Sequence, residues 1–146
     1  MSKRVIRDVI EGRPLITAKK EMTVRAACQE MAARKIGALL IVDRRKIQGI
    51  FTERDALVKV LAVGLDPETT LLSEVMVVEP LTIRDARPLS HALHMMAEGG
   101  FRHVPVTDDD GHPVGMVSAR DALGEDLVDL ERELARRDEL ESSIGY

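Results

Sequence analysis

The sequence predicts an α/β (α+β) fold in which two copies of a β-α-β-β-α unit pack about a pseudo-twofold axis. Two observations support this: a motif that occurs twice, and the same order of short apolar runs and amphipathic segments around each occurrence. The chain has 146 residues, of which 45% are hydrophobic. One unit of about sixty residues buries too little surface to be stable alone, so the two copies are expected to share one core.

The repeated motif runs from Gly49 to Asp55 and recurs, 66 residues later, from Gly115 to Asp121. Two more blocks align at a spacing of 65 residues: Leu39–Asp43 with Val104–Asp108, and Pro14–Thr17 with Glu79–Thr82. We therefore divide the chain into a first copy, a linker, a second copy and a charged C-terminal helix, which are residues 1–63, 64–70, 71–126 and 127–146.

The first copy begins with a short strand at Leu15–Thr17. Thr23 is predicted to cap a helix, because apolar residues follow it at helical spacing. These residues are Val24, Ala27, Cys28, Met31 and Ala32. Gly37 is expected to end this helix in the left-handed conformation that glycine adopts most readily.

The apolar run Ala38–Val42 predicts a buried strand, and Ile47–Phe51 predicts the strand that returns beside it. Thr52 then opens a second helix, with an apolar face formed by Ala56, Leu57, Val60 and Leu61. The second copy repeats this order, with a helix over residues 88–98 and a hairpin turn at Asp108–Gly111.

The last segment carries leucines at near-heptad spacing within a highly charged sequence. They are Leu123, Leu127, Leu130 and Leu134. This pattern predicts a helix that either packs on its own domain or contacts a second copy of the chain.

Composition excludes several classes of function. The chain has 21 basic and 25 acidic residues, which disfavours nucleic acid as a partner. Its aromatic residues are Phe51, Phe101 and Tyr146, too few for a base-stacking surface. The single Cys28 excludes an internal disulfide, and no apolar run is long enough to cross a membrane. No signal peptide is recognised, so we expect a cytoplasmic protein.

The repeated motif, Gly-h-h-Ser/Thr-x-Arg-Asp, lies where a strand runs into a helix, and h is a hydrophobic residue. A helix N-terminus suits a phosphate, a hydroxyl and an arginine can bind its oxygens, and a carboxylate can accept both hydroxyls of a ribose. The residues concerned are Thr52, Arg54 and Asp55, and Ser118, Arg120 and Asp121. The same residues also fit a capping box, which needs no ligand.

The sequence resembles a tandem pair of CBS domains, also called a Bateman module, over about residues 5 to 126. The resemblance rests on both repeated motifs, on Val5–Ile10 with its partner Leu72–Met76, and on Phe101–Val106. It implies a regulatory module that binds an adenosine-containing ligand such as AMP, ADP, ATP, NAD or S-adenosylmethionine. It also implies a homodimer.

Transferred position by position, the resemblance implies two sites in the clefts between the two copies. In the first site, Asp55 would hold the ribose, Thr52 and Arg54 the phosphate, and five residues the base: Thr17, Ala18, Gly37, Ala38 and Leu39. In the second, Asp121 would hold the ribose and Ser118 and Arg120 the phosphate. Its base would meet Thr82, Ile83, Phe101, Arg102, His103, Val104 and Pro105.

No catalytic residue and no metal site is predicted, because the histidines and carboxylates lack ligand spacing and no catalytic motif is present. Two functions remain open. One is a ligand sensor that modulates a partner protein. The other is a ligand-free dimeric interaction module in which the repeated motifs are only helix caps.

Overall fold

The computed structural model describes residues 4–143. Its elements follow the predicted order, with an additional short helix at the start of each copy and an additional two-residue strand after the second of these helices. The first copy comprises α1 (Ile6–Ile10), β1 (Thr17–Ala18), α2 (Val24–Arg34), β2 (Ala38–Asp43), β3 (Lys46–Thr52), α3 (Glu53–Asp55) and a π-helix (Ala56–Leu61). The remainder comprises α4 (Leu72–Val75), β4 (Val77–Val78), β5 (Ile83–Arg84), α5 (Leu89–Gly99), β6 (His103–Thr107), β7 (Pro113–Ser118), a 3-10 helix (Ala119–Leu123) and α6 (Glu125–Ser143).

The strands form two sheets, ordered β1-β2-β3-β4 and β5-β6-β7. In each sheet the first strand is parallel to the second, and the second is antiparallel to the third. Leu40 pairs with Ile50 in one hairpin and Pro105 with Met116 in the other. The two hairpins therefore confirm the strands that the apolar runs predicted.

The first long helix confirms its predicted start but not its predicted end. Thr23 Oγ1 accepts a hydrogen bond from Ala26 N at 3.2 Å. The left-handed residue that ends the helix is Lys35, with φ 55°, and the backbone of Lys35 donates to Ala32 O. The prediction that Gly37 has this role was wrong, because the chain has already left the helix two residues earlier.

The two short leading helices are exchanged between the copies. Ile6 and Ile10 of α1 are buried in the core of the second copy, beside Val104 and Val117. Leu72 and Val75 of α4 are buried in the core of the first copy. Each copy therefore has its own core, which the leading helix of the other copy completes, and the prediction of one shared core was wrong.

The segments after the two repeated motifs differ. A π-helix follows the first motif, and of its predicted apolar face only Val60 is fully buried. Leu57 and Leu61 are 58% and 68% exposed, so the predicted buried face is wrong at these positions. A 3-10 helix follows the second motif and leads through Gly124 into α6.

The C-terminal helix begins at Glu125, slightly before the predicted boundary. Leu123, Leu130 and Leu134 are each about half exposed in the single chain. The side chain of Leu127, Tyr146 and the outer limits of the first and last predicted segments lie outside the described residues. Among the residues described, no helix is both long and apolar enough to cross a membrane.

Candidate functional site

A cavity of about 1020 Å³ lies between the two copies and is lined by both. The first copy contributes the segment before β1, the end of α2 with the following turn, and the start of α3. The second copy contributes the start of β6 and the repeated motif after β7. A cavity of this size suits a small organic ligand.

Six of the predicted site residues line this cavity together: Gly37, Ala38, Arg102, His103, Ser118 and Arg120. The sequence grouped Gly37 and Ala38 with the motif of their own copy. The structure instead places them opposite the second copy's motif. This cavity therefore combines residues that the sequence assigned to two different sites.

The other predicted residues do not line this cavity. They are Thr17, Ala18, Leu39, Thr52, Arg54, Asp55, Thr82, Ile83, Phe101, Val104, Pro105 and Asp121. Leu39, Val104 and Pro105 are fully buried, and Ala18 and Ile83 belong to the two hydrophobic cores. The side chains of these five residues therefore stabilise the fold and offer almost no surface to a ligand in this structure.

Asp121 lies next to the cavity and is bound by a residue that lines it. Arg13 Nη2 donates to Asp121 Oδ1 at 2.7 Å, and Arg13 Nη1 donates to Oδ2 at 3.2 Å. The backbone N–H of Ser118 also donates to Oδ2, at 2.8 Å. Asp121 is 9% exposed, so this two-point ion pair compensates a nearly buried carboxylate.

Asp55 is compensated within its own copy. Its Oδ1 lies 3.1 Å from Lys59 Nζ, one helical turn further along the chain. Its Oδ2 accepts the backbone N–H of Thr52 at 3.0 Å, and Asp55 N donates to Thr52 Oγ1 at 3.2 Å. These two hydrogen bonds form a complete capping box, as the spacing of Thr52 and Asp55 predicted.

His103 and Glu53 approach Gly37 from different copies. A Cβ atom added at Gly37 would lie 3.1 Å from Glu53 Oε1 and 3.4 Å from His103 Cε1. Burial lowers the pKa of His103, with Arg102 acting in the same direction and Glu53 and Asp121 opposing it. His103 therefore presents a neutral imidazole to the cavity at pH 7.

Several lining residues were not predicted from the sequence: Arg13, Arg34, Lys35, Glu53 and Met116. Arg13 directly precedes an aligned block, and the corresponding position of the second copy is Val78. This difference between the copies is the one sequence signal that could have identified Arg13. Arg34 also forms an ion pair with Glu30 on α2.

Cys28 lines the same cavity and is half-buried. Burial raises the pKa of its thiol, and the positive charge of Arg25 opposes this effect. The thiol is therefore mostly protonated at neutral pH, which is unfavourable for a nucleophile.

The β6–β7 turn brings together three possible metal-ligand atoms, from Asp108, Asp110 and His112, within 4.8 Å of one another. Asp108 Oδ1 accepts the backbone N–H groups of Asp110 and His112, both at 2.9 Å. The hydrogen bond from His112 is the main reason that the pKa of Asp108 is lowered. These bonds explain the turn without a metal, and the predicted absence of a metal site stays a prediction.

Comparisons with known proteins agree with this architecture. The CBS domain family matches residues 6–62 and 72–127. The chain is 34% identical to CBS domain-containing protein CBSCBSPB2 of Arabidopsis thaliana over 118 residues, which cover 80% of this chain and 22% of that protein. The chain therefore spans about a fifth of the length of that curated relative.

Two solved structures of CBS domain proteins are similar to this chain over most of its length. A CBS domain protein from Pyrobaculum aerophilum complexed with AMP superposes with a TM-score of 0.77 at 26% identity, covering 88% of this chain and 97% of that one. The CBS domain pair of protein MJ0100, in complex with 5′-methylthioadenosine and S-adenosyl-L-methionine, gives a TM-score of 0.72 at 28% identity, covering 82% and 96%. The chain thus belongs to the CBS domain family, and its two copies form one CBS-pair module.

Proposed function

We propose that this module is a non-catalytic regulator that binds an adenosine-containing ligand in the cavity between its copies. The observation that carries the proposal is the joint lining of this cavity by Gly37 and Ala38 from one copy and Ser118 and Arg120 from the other. Small, neutral residues suit the flat face of a base, whereas the second motif suits a ribose phosphate.

The carboxylate of Asp121 is proposed to hold the ribose. It lies at the N-terminus of the 3-10 helix and is nearly buried, so a diol that donates two hydrogen bonds to it would be well ordered. Solved relatives with AMP, or with 5′-methylthioadenosine and S-adenosyl-L-methionine, support the adenosine class of ligand. The candidates are AMP, ADP, ATP, NAD and S-adenosylmethionine.

A ligand that contacts both copies would favour one relative arrangement of them. This bias is the proposed signal to a partner protein, because a ligand shifts a conformational equilibrium by its difference in affinity for the two states. We also propose a homodimer and a cytoplasmic location, as the sequence predicted.

The test is a thermal-shift and calorimetric titration of the purified chain with each candidate ligand. A ligand that binds the native state raises the melting temperature. We expect binding of AMP to weaken by at least about tenfold with 2′-deoxy-AMP and in Asp121→Asn, because each loses a charged hydrogen bond.

Asp110→Asn is the matched control, because it removes an exposed carboxylate from the β6–β7 turn, outside the cavity. Its affinity for AMP should equal that of the unchanged chain. The proposal is wrong if no adenosine compound raises the melting temperature, or if Asp121→Asn binds AMP as tightly as Asp110→Asn does.

The second candidate is a ligand-free interaction module, and the complete capping box at Thr52 and Asp55 favours it. In this case Asp55→Ala would lower stability by about 1 kcal/mol, as the loss of a helix cap does, and no nucleotide would bind either form. The same titration distinguishes the two candidates.

A further inference from the structure

The Arg13–Asp121 ion pair joins the cavity wall to the carboxylate proposed to hold the ribose. Both guanidinium Nη atoms bind this carboxylate, one to each oxygen. A ribose diol that bound Asp121 through two hydroxyl groups would need the same two oxygens, and Oδ2 already accepts two N–H groups, from Arg13 and Ser118. Arg13 and the ribose therefore compete for Asp121.

The side chain of Arg13 has room to leave Asp121 when a ligand binds there. Its side chain is 47% exposed, whereas that of Asp121 is 9% exposed. It lies between α1 and β1, in a segment without regular structure. Arg102 and Arg120 line the same cavity, so the displaced guanidinium would stay among residues suited to an anion.

We propose that Arg13 determines the preference of this cavity for phosphorylated over unphosphorylated nucleosides by exchanging Asp121 for the ligand's phosphate. This inference rests on the proposed function. A nucleoside without phosphate breaks the ion pair and gives Arg13 no new anion. A nucleotide breaks the same pair but offers phosphate oxygens, which the planar guanidinium can bind at two points.

The asymmetry between the copies supports a dedicated role for Arg13. Asp55 is paired with Lys59 of its own helical segment, and the position corresponding to Arg13 in the second copy is the exposed Val78. The exchange is therefore specific to the carboxylate beside this cavity.

The test compares adenosine with AMP in calorimetric titrations of the unchanged chain and of Arg13→Gln. The ratio of the two dissociation constants measures the phosphate preference. We expect this ratio to fall by about tenfold in Arg13→Gln, which is the effect of losing one charged hydrogen-bond pair. AMP binding should weaken, while adenosine binding should stay equal or become tighter because no ion pair has to be broken.

Arg7→Gln is the matched control, because Arg7 forms an exposed ion pair with Asp85 and does not line the cavity. It should leave the ratio unchanged. Arg13→Lys keeps the charge but loses the two-point geometry, so its ratio should lie between those of the unchanged chain and Arg13→Gln.

Two outcomes would overturn the inference. If the ratio is unchanged in Arg13→Gln, including the case in which adenosine and AMP binding weaken equally, Arg13 has only a structural role, although the proposed function stands. If the unchanged chain binds neither adenosine nor AMP, the inference fails, whereas the proposed function fails only if none of its candidate ligands binds.

Discussion

The two repeated motifs have similar sequences, yet their aspartates are compensated by charges from different places. Lys59 compensates Asp55 from the next turn of the same segment, whereas Arg13 reaches Asp121 from 108 residues earlier in the chain. The same motif is therefore paired with a neighbouring residue in one copy and with a residue of the other copy in the second. The motif alone does not determine which of these contacts forms; the residues brought to it by the fold do.

The exchanged leading helices provide the strongest test of how far the two copies are equivalent. Ile6 and Leu72 are both fully buried. Ile6 lies in the core of the second copy, and Leu72 lies in the core of the first copy. We expect Ile6→Ala and Leu72→Ala each to lower the free energy of unfolding by about 2–5 kcal/mol, because each leaves a cavity in a core. Urea denaturation measures both.

Leu81→Ala is the control for these core substitutions, since Leu81 is 62% exposed. It should change stability by less than about 0.5 kcal/mol. A small effect of Ile6→Ala beside a large effect of Leu72→Ala would show that only one of the exchanged helices is needed for stability.

The corresponding glycines of the two motifs should differ when each is replaced by alanine. A Cβ at Gly49 would lie 2.7 Å from the backbone oxygen of Val77 in β4, whereas one at Gly115 would lie 2.8 Å from the end of the Ile10 side chain. The backbone of a paired strand moves less easily than the end of a flexible side chain. Gly49→Ala should therefore destabilise by about 1–3 kcal/mol and Gly115→Ala by less, as measured by thermal unfolding.

Equal losses for the two glycine substitutions would contradict this explanation. They would indicate that Ile10 is held as rigidly against β7 as the β4 backbone is held against β3.

Removing the motif hydroxyl should affect the first copy more than the second. Thr52 Oγ1 accepts the backbone N–H of Asp55, so Thr52→Ala should cost about 1 kcal/mol. At Ser118 it is the backbone N–H that donates to Asp121, and alanine keeps this group. Denaturant midpoints of Thr52→Ala and Ser118→Ala measure the difference, and a larger loss for Ser118→Ala would show that its hydroxyl has a structural role as well.

The smallest expected effect is a dependence of stability on pH at His103. Burial lowers the pKa of His103 in the folded chain, so the unfolded chain binds a proton more readily as the pH falls below about 6.5. Stability should therefore fall from pH 7.5 to pH 5.5, and His103→Gln should reduce this fall. Glu53, Arg102 and Asp121 are the charged groups that act on this histidine.

His94→Gln is the control for this measurement, since His94 is an exposed histidine paired with Glu98 on α5. Denaturation curves at the two pH values give the comparison. If His94→Gln and His103→Gln change the pH dependence equally, the burial of His103 has no measurable effect on stability.

The sequence was sufficient to predict the elements of the fold but not the contacts between its halves. Apolar periodicity reports which residues are buried, so it found both hairpins and the helix that Thr23 caps. It does not report which surface covers them, and for this reason the exchange of α1 and α4 was missed. The sequence assigned Gly37 and Arg120 to different sites, whereas one cavity between the copies is lined by both.

The exchange of the leading helices has a consequence for the order of folding during synthesis. Helix α1 leaves the ribosome before the rest of this module, but the core that buries Ile6 also needs Val117. A nascent first copy must likewise wait for Leu72 of α4 before its own core is complete. The early part of the chain therefore stays incomplete until the late part emerges, so the two halves are expected to mature together rather than one after the other.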